Sequence, residues 1–210
     1  MSLMRRRVML RNESGGGGGL PSEYQQVEYI GISASGAYIA TNYVPVQGDE
    51  IRFRCRITGN ASAVLFSSGT GNYQTIVVFD RSNGRAHLKM FQTGGASSIA
   101  YWYTGVVDFT LKNPTSTLNA GGSDVTVSTP FQGALDGNQT NLWIFRRRNG
   151  GDGVASRLYS FSITNNGAEK LTLIPCYRKS DGEIGMYDFV SRTFYNNAGT
   201  GTFVKGADVN

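Results

Sequence analysis

Residues 51–57, IRFRCRI, alternate without a break: Ile51, Phe53, Cys55 and Ile57 take one set of positions, and Arg52, Arg54 and Arg56 the other. Side chains of a strand point to opposite faces with a period of two, so the stretch predicts a β-strand with one face in a core and one in water. Three arginines bar a second apolar layer from the wet face, and they predict a strand that resists edge-to-edge pairing with another copy. The rest of the chain repeats this theme.

After Leu20 and Pro21, short apolar runs follow at 24–30 and 38–40, then at 63–66, 75–79 and 85–91, with DRSNG at 80–84 between the last two. Asn83-Gly84 is a hairpin signal because both residues tolerate positive φ. Residues 100–103 are aromatic-rich, 106–112 alternate with Val107, Phe109 and Leu111 as the buried set, and 118–122 read as a turn before Val125 and Val127. Further strands are expected at 142–145, at 157–163 and, beyond a turn at Asn165-Asn166-Gly167, at 169–174. At 157–163 the alternation places Tyr159, Phe161 and Ile163 on one face and Leu158, Ser160 and Ser162 on the other. About a dozen strands exceed a seven-stranded immunoglobulin-like sandwich and fit a two-sheet jelly roll. The expected fold is therefore an all-β, antiparallel jelly-roll β-sandwich with little helix.

Composition supports one domain of 20–210 behind a tail of 1–19. The 210 residues are 40% hydrophobic and hold 28 glycines, with no amphipathic stretch of helical length. Gly15 to Gly19 form a flexible spacer, about 12 Å in root-mean-square reach. Met1, Ser2 and Leu3, ahead of a second methionine, read as an expression remnant. Of the net charge of +5, most lies in the tail, where Arg5, Arg6, Arg7 and Arg11 face only Glu13. The body is left nearly neutral, too weak an electrostatic footprint for a polyanion, so no nucleic-acid partner is expected. Cys55 and Cys176 sit in apolar runs without CxxC or histidine company and read as buried thiols, with a disulfide between them left open. Val8, Met9 and Leu10 are too short for a signal-peptide core, and no run reaches a membrane span. The chain is expected to be made in a cytosol, without a signal peptide or membrane insertion.

Three stretches carry a resemblance. LTLIPCYRKSDGEIGMYDFVSRTFYNNAGTGTFVKG at 171–206, LPSEYQQVEYIGISASGAYIATNYVP at 20–45 and RLYSFSI at 157–163 bracket nearly all of the chain beyond the tail. Together they resemble the laminin G-like branch of the concanavalin A-like lectin and glucanase superfamily, in the form found in phage and prophage proteins of gut bacteria. In physical terms, Asp181-Gly182 supplies a tight turn, Ile184, Met186 and Tyr187 return apolar side chains to the core, and Gly199 and Gly201 permit a close turn before Phe203. Residues 187–188 and 194–195 read as a short hairpin closing a sheet edge.

The resemblance implies either sugar chemistry or sugar binding, and the residues favour binding. The superfamily's glucanases carry a Glu-x-Asp-x-(x)-Glu pattern that this chain lacks; its nearest cluster, Asp181, Glu183 and Asp188, straddles a turn and reads as solvated loop charge. His87 is the single histidine and reads as a half-exposed sheet residue; no serine has a GxSxG setting and neither cysteine a histidine partner. No enzyme is expected. The superfamily often holds calcium, for which Asp136, Asn138, Asn141 and Asp152 are the candidate oxygen donors here; Asp-Gly-Asn and Gly-Asp-Gly are ordinary turn chemistry and offer too few oxygens for a calcium site, so no metal or other cofactor is expected.

For a ligand, Tyr101, Trp102 and Tyr103 are the aromatic candidates, since an exposed ring on a sheet is what a sugar stacks on; packing into the sandwich or a neighbouring chain is the plainer alternative. Arg146, Arg147 and Arg148 end the NLWIF run and suit an acidic glycan, a neighbouring subunit, or a solvated strand end whose stems cover apolar surface. The expectation is a non-catalytic, virion-associated lectin-like module on a tail, baseplate or appendage, homo-oligomeric, facing bacterial surface glycan or other virion proteins. A connector or decoration protein is the alternative, and a glycoside hydrolase the remoter one.

Overall fold

The computed structural model describes residues 19–59, 63–69, 74–80, 84–92, 97–100, 105–129, 140–147 and 155–210. Seventeen strands and no helix lie among them. In chain order they are β1 (Tyr24–Gln26), β2 (Ile30–Ile32), β3 (Ile39–Ala40), β4 (Asp49–Ile57), β5 (Ala63–Ser68), β6 (Gln74–Asp80), β7 (Arg85–Gln92), β8 (Ser97–Ala100) and β9 (Val107–Leu111). They continue as β10 (Thr115–Ala120), β11 (Ser123–Ser128), β12 (Trp143–Ile144), β13 (Ser156–Asn165), β14 (Ala168–Arg178), β15 (Ile184–Asp188), β16 (Thr193–Tyr195) and β17 (Phe203–Lys205). The count exceeds the dozen expected because several are only two or three residues long.

Two antiparallel sheets form the sandwich. The larger runs β11-β10-β9-β4-β13-β14-β15-β16, with β1 added on β14, β2 on β13 and β17 on β2; the smaller runs β3-β12-β5-β6-β7-β8. The IRFRCRI stretch lies in β4, where Ile51, Phe53, Cys55 and Ile57 are all at most 2% exposed, as the alternation predicts. Its arginines do not guard an edge, however, because β9 and β13 flank it on both sides. They bind carboxylates on the wet face instead: Arg52 holds Glu50, and Arg54 holds Asp108 across the strand pair at 3.3 Å.

Phenylalanines join the two layers. Phe53, Phe109 and Phe161 of the larger sheet lie roughly parallel, with Phe53 and Phe109 centroids 5.0 Å apart at 9°. Phe66 and Phe79 of the smaller sheet meet them edge-on: Phe66 lies 5.2 Å from both Phe53 and Phe161, at 82° and 83°, and Phe79 lies 5.5 Å from Phe109 at 73°. Stacking within a sheet and edge contacts between sheets are the arrangements that ring quadrupoles favour.

Three local expectations change. The register of β13 against β4 shifts between Leu158 and Ser160, so an added residue turns Tyr159 outward and leaves Leu158, Phe161 and Ile163 together in the core. Tyr159 packs instead on Tyr29, at 5.5 Å. The expected turn at 118–122 narrows to Gly121-Gly122, and Leu118 is a buried residue of β10. Met186 enters the core, with Ile184 partly buried against it, but Tyr187 projects from the opposite face of β15, where it meets Tyr24 at 5.2 Å and Phe189 at 5.5 Å.

The hairpins at Asn165-Asn166-Gly167 and between Asp188 and Thr193 form as expected. Asn166 and Gly167 both have positive φ, 50° and 78°, the requirement of a two-residue loop matched to strand twist. Both cysteines are free and buried.

Candidate functional site

The site builds on the short pair β3 and β12. Their register sets Ile144 against Ile39 and Trp143 against Ala40; both isoleucines are fully buried, so Trp143 and Tyr38 belong to the outer face of the smaller sheet. With only the small Ala40 opposite Trp143, the Tyr38 and Trp143 rings come together, centroids 4.6 Å apart at 36°. Both remain half-buried.

Alternation then breaks at Phe145. With φ of 70°, Phe145 adopts a left-handed conformation unfavourable for a bulky side chain, and in doing so it joins Ile144 in the core, 1% exposed. Its N–H donates to the Leu65 carbonyl at 2.6 Å, and its ring lies 6.0 Å from Phe203. Arg146 is thereby returned to the outer face. Its carbonyl accepts the Ser67 hydroxyl, and its guanidinium carbon lies 4.8 Å from the Tyr38 ring centroid and 5.7 Å from that of Trp143.

The C-terminal loop holds the strand beneath. Asn197 Oδ1 accepts the Tyr38 N–H at 3.2 Å and the Gly199 N–H at 2.9 Å, its Nδ2 donates to the Gly201 carbonyl, and the Ala198 N–H donates to the Tyr38 carbonyl. Gly199 and Gly201 serve this approach: a Cβ on Gly199 would overlap the Gly36 carbonyl, and one on Gly201 would lie 2.5 Å from the Ala37 nitrogen. Their role is to let one backbone lie on another, not to shape a close turn. Thr41 completes the frame from below, donating its hydroxyl to the Leu142 carbonyl at 2.9 Å.

Of the residues singled out from sequence, Arg146 is in this cluster and Arg147 is half-buried beside it in the chain; Tyr101, Trp102, Tyr103 and Arg148 lie outside the described residues. Asn141 is exposed, and Asp136, Asn138 and Asp152 also lie outside the described residues. No group of three or more His, Cys, Asp or Glu side chains that could hold a metal occurs among the described residues. Sequence reasoning missed Tyr38 and Trp143, whose one signal was the pairing of YIAT with NLWIF.

Among the described residues two clefts of about 250 Å³ open, one lined by Glu183, Ile184, Asn197, Thr202 and Phe203, the other by Asp49, Glu50, Lys112, Asn113, Thr164 and Asn166. Two of their acids, Asp49 and Glu50, are engaged in structure. Asp49 is 2% exposed and accepts from the Tyr43 hydroxyl, the Val46 N–H and Asn165 Nδ2. For Glu50, burial pushes the pKa up, but the Arg52 hydrogen bond and charge with Lys112 outweigh it and hold the carboxyl below its ordinary value. Asp188 is not solvated loop charge: it is 1% exposed and accepts from the Thr172, Val190 and Ser191 N–H groups and the Ser191 hydroxyl. Asp181 is exposed, and its hydrogen bond from Arg178 lowers its pKa. A glycosidase acid needs its pKa raised, so the displacements resolved at Glu50 and Asp181 run the wrong way for that task. His87 is half-buried on β7.

No family model and no curated protein sequence matches the chain. Among solved structures it is similar to the native heptameric SAP-like pentraxin from Limulus polyphemus, with a TM-score of 0.55 and 11% identity over 87% of this chain and 95% of that one. At that identity the likeness concerns fold alone, and it agrees with the two antiparallel sheets described above: the chain is an all-β jelly-roll sandwich.

Proposed function

We propose that this chain is a non-catalytic, lectin-like module of the laminin G-like type carried by phage and prophage virion proteins, and that it recognises carbohydrate on a bacterial surface. The observation that carries the sugar-binding part is the Tyr38–Trp143 pair on the outer face of the smaller sheet, with Arg146 over both rings. The edge of this half-buried aromatic pair offers apolar surface to a pyranose ring, and the guanidinium above it offers hydrogen-bond donors. The virion setting rests on the signature stretches at 20–45 and 171–206, with residues 1–19 as the attachment arm.

A site this shallow binds weakly as a single copy, so function depends on oligomerisation, where linked copies gain about 10² to 10⁴ in avidity. The test is a glycan array probed with a multimerised form of the protein, and a blank array would remove the sugar-binding reading. The connector reading draws on β11, the end strand of the larger sheet, which exposes Val125 at 45% and carries Asp124 as its sole charge. Among the described residues no strand pairs with its outer side, and an open edge of this kind invites strand addition. If Val125→Lys dissociates the assembly while the array stays blank, the protein is a connector.

A further inference from the structure

We infer that the saccharide taken at the Tyr38–Trp143 face is acidic, with its carboxylate received by Arg146; this rests on the carbohydrate reading above. Four cations stack on aromatic rings among the described residues, and their surroundings differ. Arg178, over Phe194, also holds Asp181 at 2.6 Å, and Lys205, over Tyr177, also holds Asp208 at 2.9 Å. Those two stacks are internally neutralised. Arg146 has no carboxylate partner among the described residues, and its Nε is buried with no acceptor. Arg157, over Tyr29 at 4.5 Å, also lacks a described carboxylate, but its Nε is not among the orphaned atoms, and it lies on the opposite sheet.

A guanidinium stacked on a ring spends its face and keeps its edge, where its N–H donors lie in the fork that matches a planar carboxylate. A charged donor buried without an acceptor costs free energy that an arriving anion returns. Arg146 and the two half-buried rings beneath it lie within the span of one sugar, so a sugar with a carboxylate on its own ring can meet the guanidinium and the edge of the aromatic pair together. A uronic acid or another carboxylate-bearing sugar has that form, and a neutral sugar does not. Arg147, whose Nε is likewise buried without an acceptor, raises the local positive potential further.

The experiment is an array of uronate-containing bacterial polysaccharides printed beside the same polysaccharides after carboxyl reduction, probed with the multimerised protein at low and high salt. Binding is expected on the acidic members, weakening as salt rises, and falling about tenfold or more on carboxyl reduction. Arg146→Gln should reproduce that loss, Arg146→Lys should recover part of it, and Arg157→Gln should leave binding unchanged, with thermal unfolding confirming that each variant is folded. Equal binding to acidic and reduced members overturns the acidic inference and leaves the sugar reading standing. Absence of binding to both forms, and to neutral glycans alongside, overturns both. Acid-selective binding that survives Arg146→Gln but not Arg157→Gln overturns the assignment to this face.

Discussion

The side-chain oxygen of Asn197 accepts the backbone N–H of Tyr38 at 3.2 Å, joining the C-terminal loop to the base of the aromatic pair across 159 residues of sequence. The same side chain accepts from Gly199 and donates to Gly201, so one amide organises the loop and steadies the platform. The most recognisable stretch of the chain is thus a clamp. It contributes no ring to the aromatic pair, yet it fixes the strand that does.

Replacing Asn197 with alanine removes these partners and leaves a part-buried N–H of Tyr38 unpaired, which should cost about 1–3 kcal/mol. Asn197→Asp keeps the acceptor and loses the donor, so its stability should fall between the two. Urea unfolding measures the cost. Glycan binding should decline with Asn197→Ala even where the protein remains folded, because the Tyr38 ring loses its support.

Phe161 is 1% exposed and joins both layers, 5.2 Å from Phe66 and 6.2 Å from Phe53. Phe161→Ala should destabilise by about 3–5 kcal/mol through lost transfer energy and the cavity left behind. Tyr159→Ala, one bulge away but facing outward, should cost clearly less. A reversal of that order would refute the shifted register of β13.

Burial pushes the Cys176 thiol up to about 12 and raises that of Cys55 as well, with a further upward push on Cys55 from Asp108. Reactivity follows the thiolate, so neither cysteine should react with a disulfide reagent at pH 8 in the native protein. Both should react within the dead time once the chain is unfolded. Rapid labelling of either thiol under native conditions would contradict its burial.

Three carboxyls among the described residues have lowered pKa values: the Arg178 hydrogen bond lowers that of Asp181, the Lys205 hydrogen bond lowers that of Asp208, and Arg52 with Lys112 outweighs burial at Glu50. A carboxyl with a depressed folded-state pKa contributes stability that is present above its unfolded value, near about 4, and is lost as pH falls through the folded one. The urea midpoint should therefore drop below about pH 4, modestly and less so in high salt, because these pairs are at the surface. Glu50→Gln should lower stability at neutral pH and flatten the acid limb. A midpoint that rises on acidification would contradict the assignment.

How far the chain discloses itself depends on how local the cause is. The alternation of β4, the Asn166-Gly167 loop and the phenylalanine-rich inner faces follow from period and turn chemistry, both contained in a few neighbouring residues. Tyr159 escapes because a bulge adds one residue without changing composition, and everything before it changes face. Trp143 escapes for a related reason: its strand has two residues, and Phe145 takes a positive φ that no side-chain type announces. Asp188 looks like a turn acid in water because the N–H groups that bury it come from the backbone, which carries no residue-type signal. Tyr38 meets Trp143 only through the pairing of β3 with β12, a tertiary event.

The central claim is tested most directly by glycan binding of the multimerised protein with Trp143 intact and with Trp143→Ala, measured side by side with the unfolding midpoint and the assembly size. The account predicts that the unaltered protein binds a subset of bacterial glycans, and that Trp143→Ala keeps fold and assembly but loses that binding. Undiminished binding by a folded Trp143→Ala protein would contradict it.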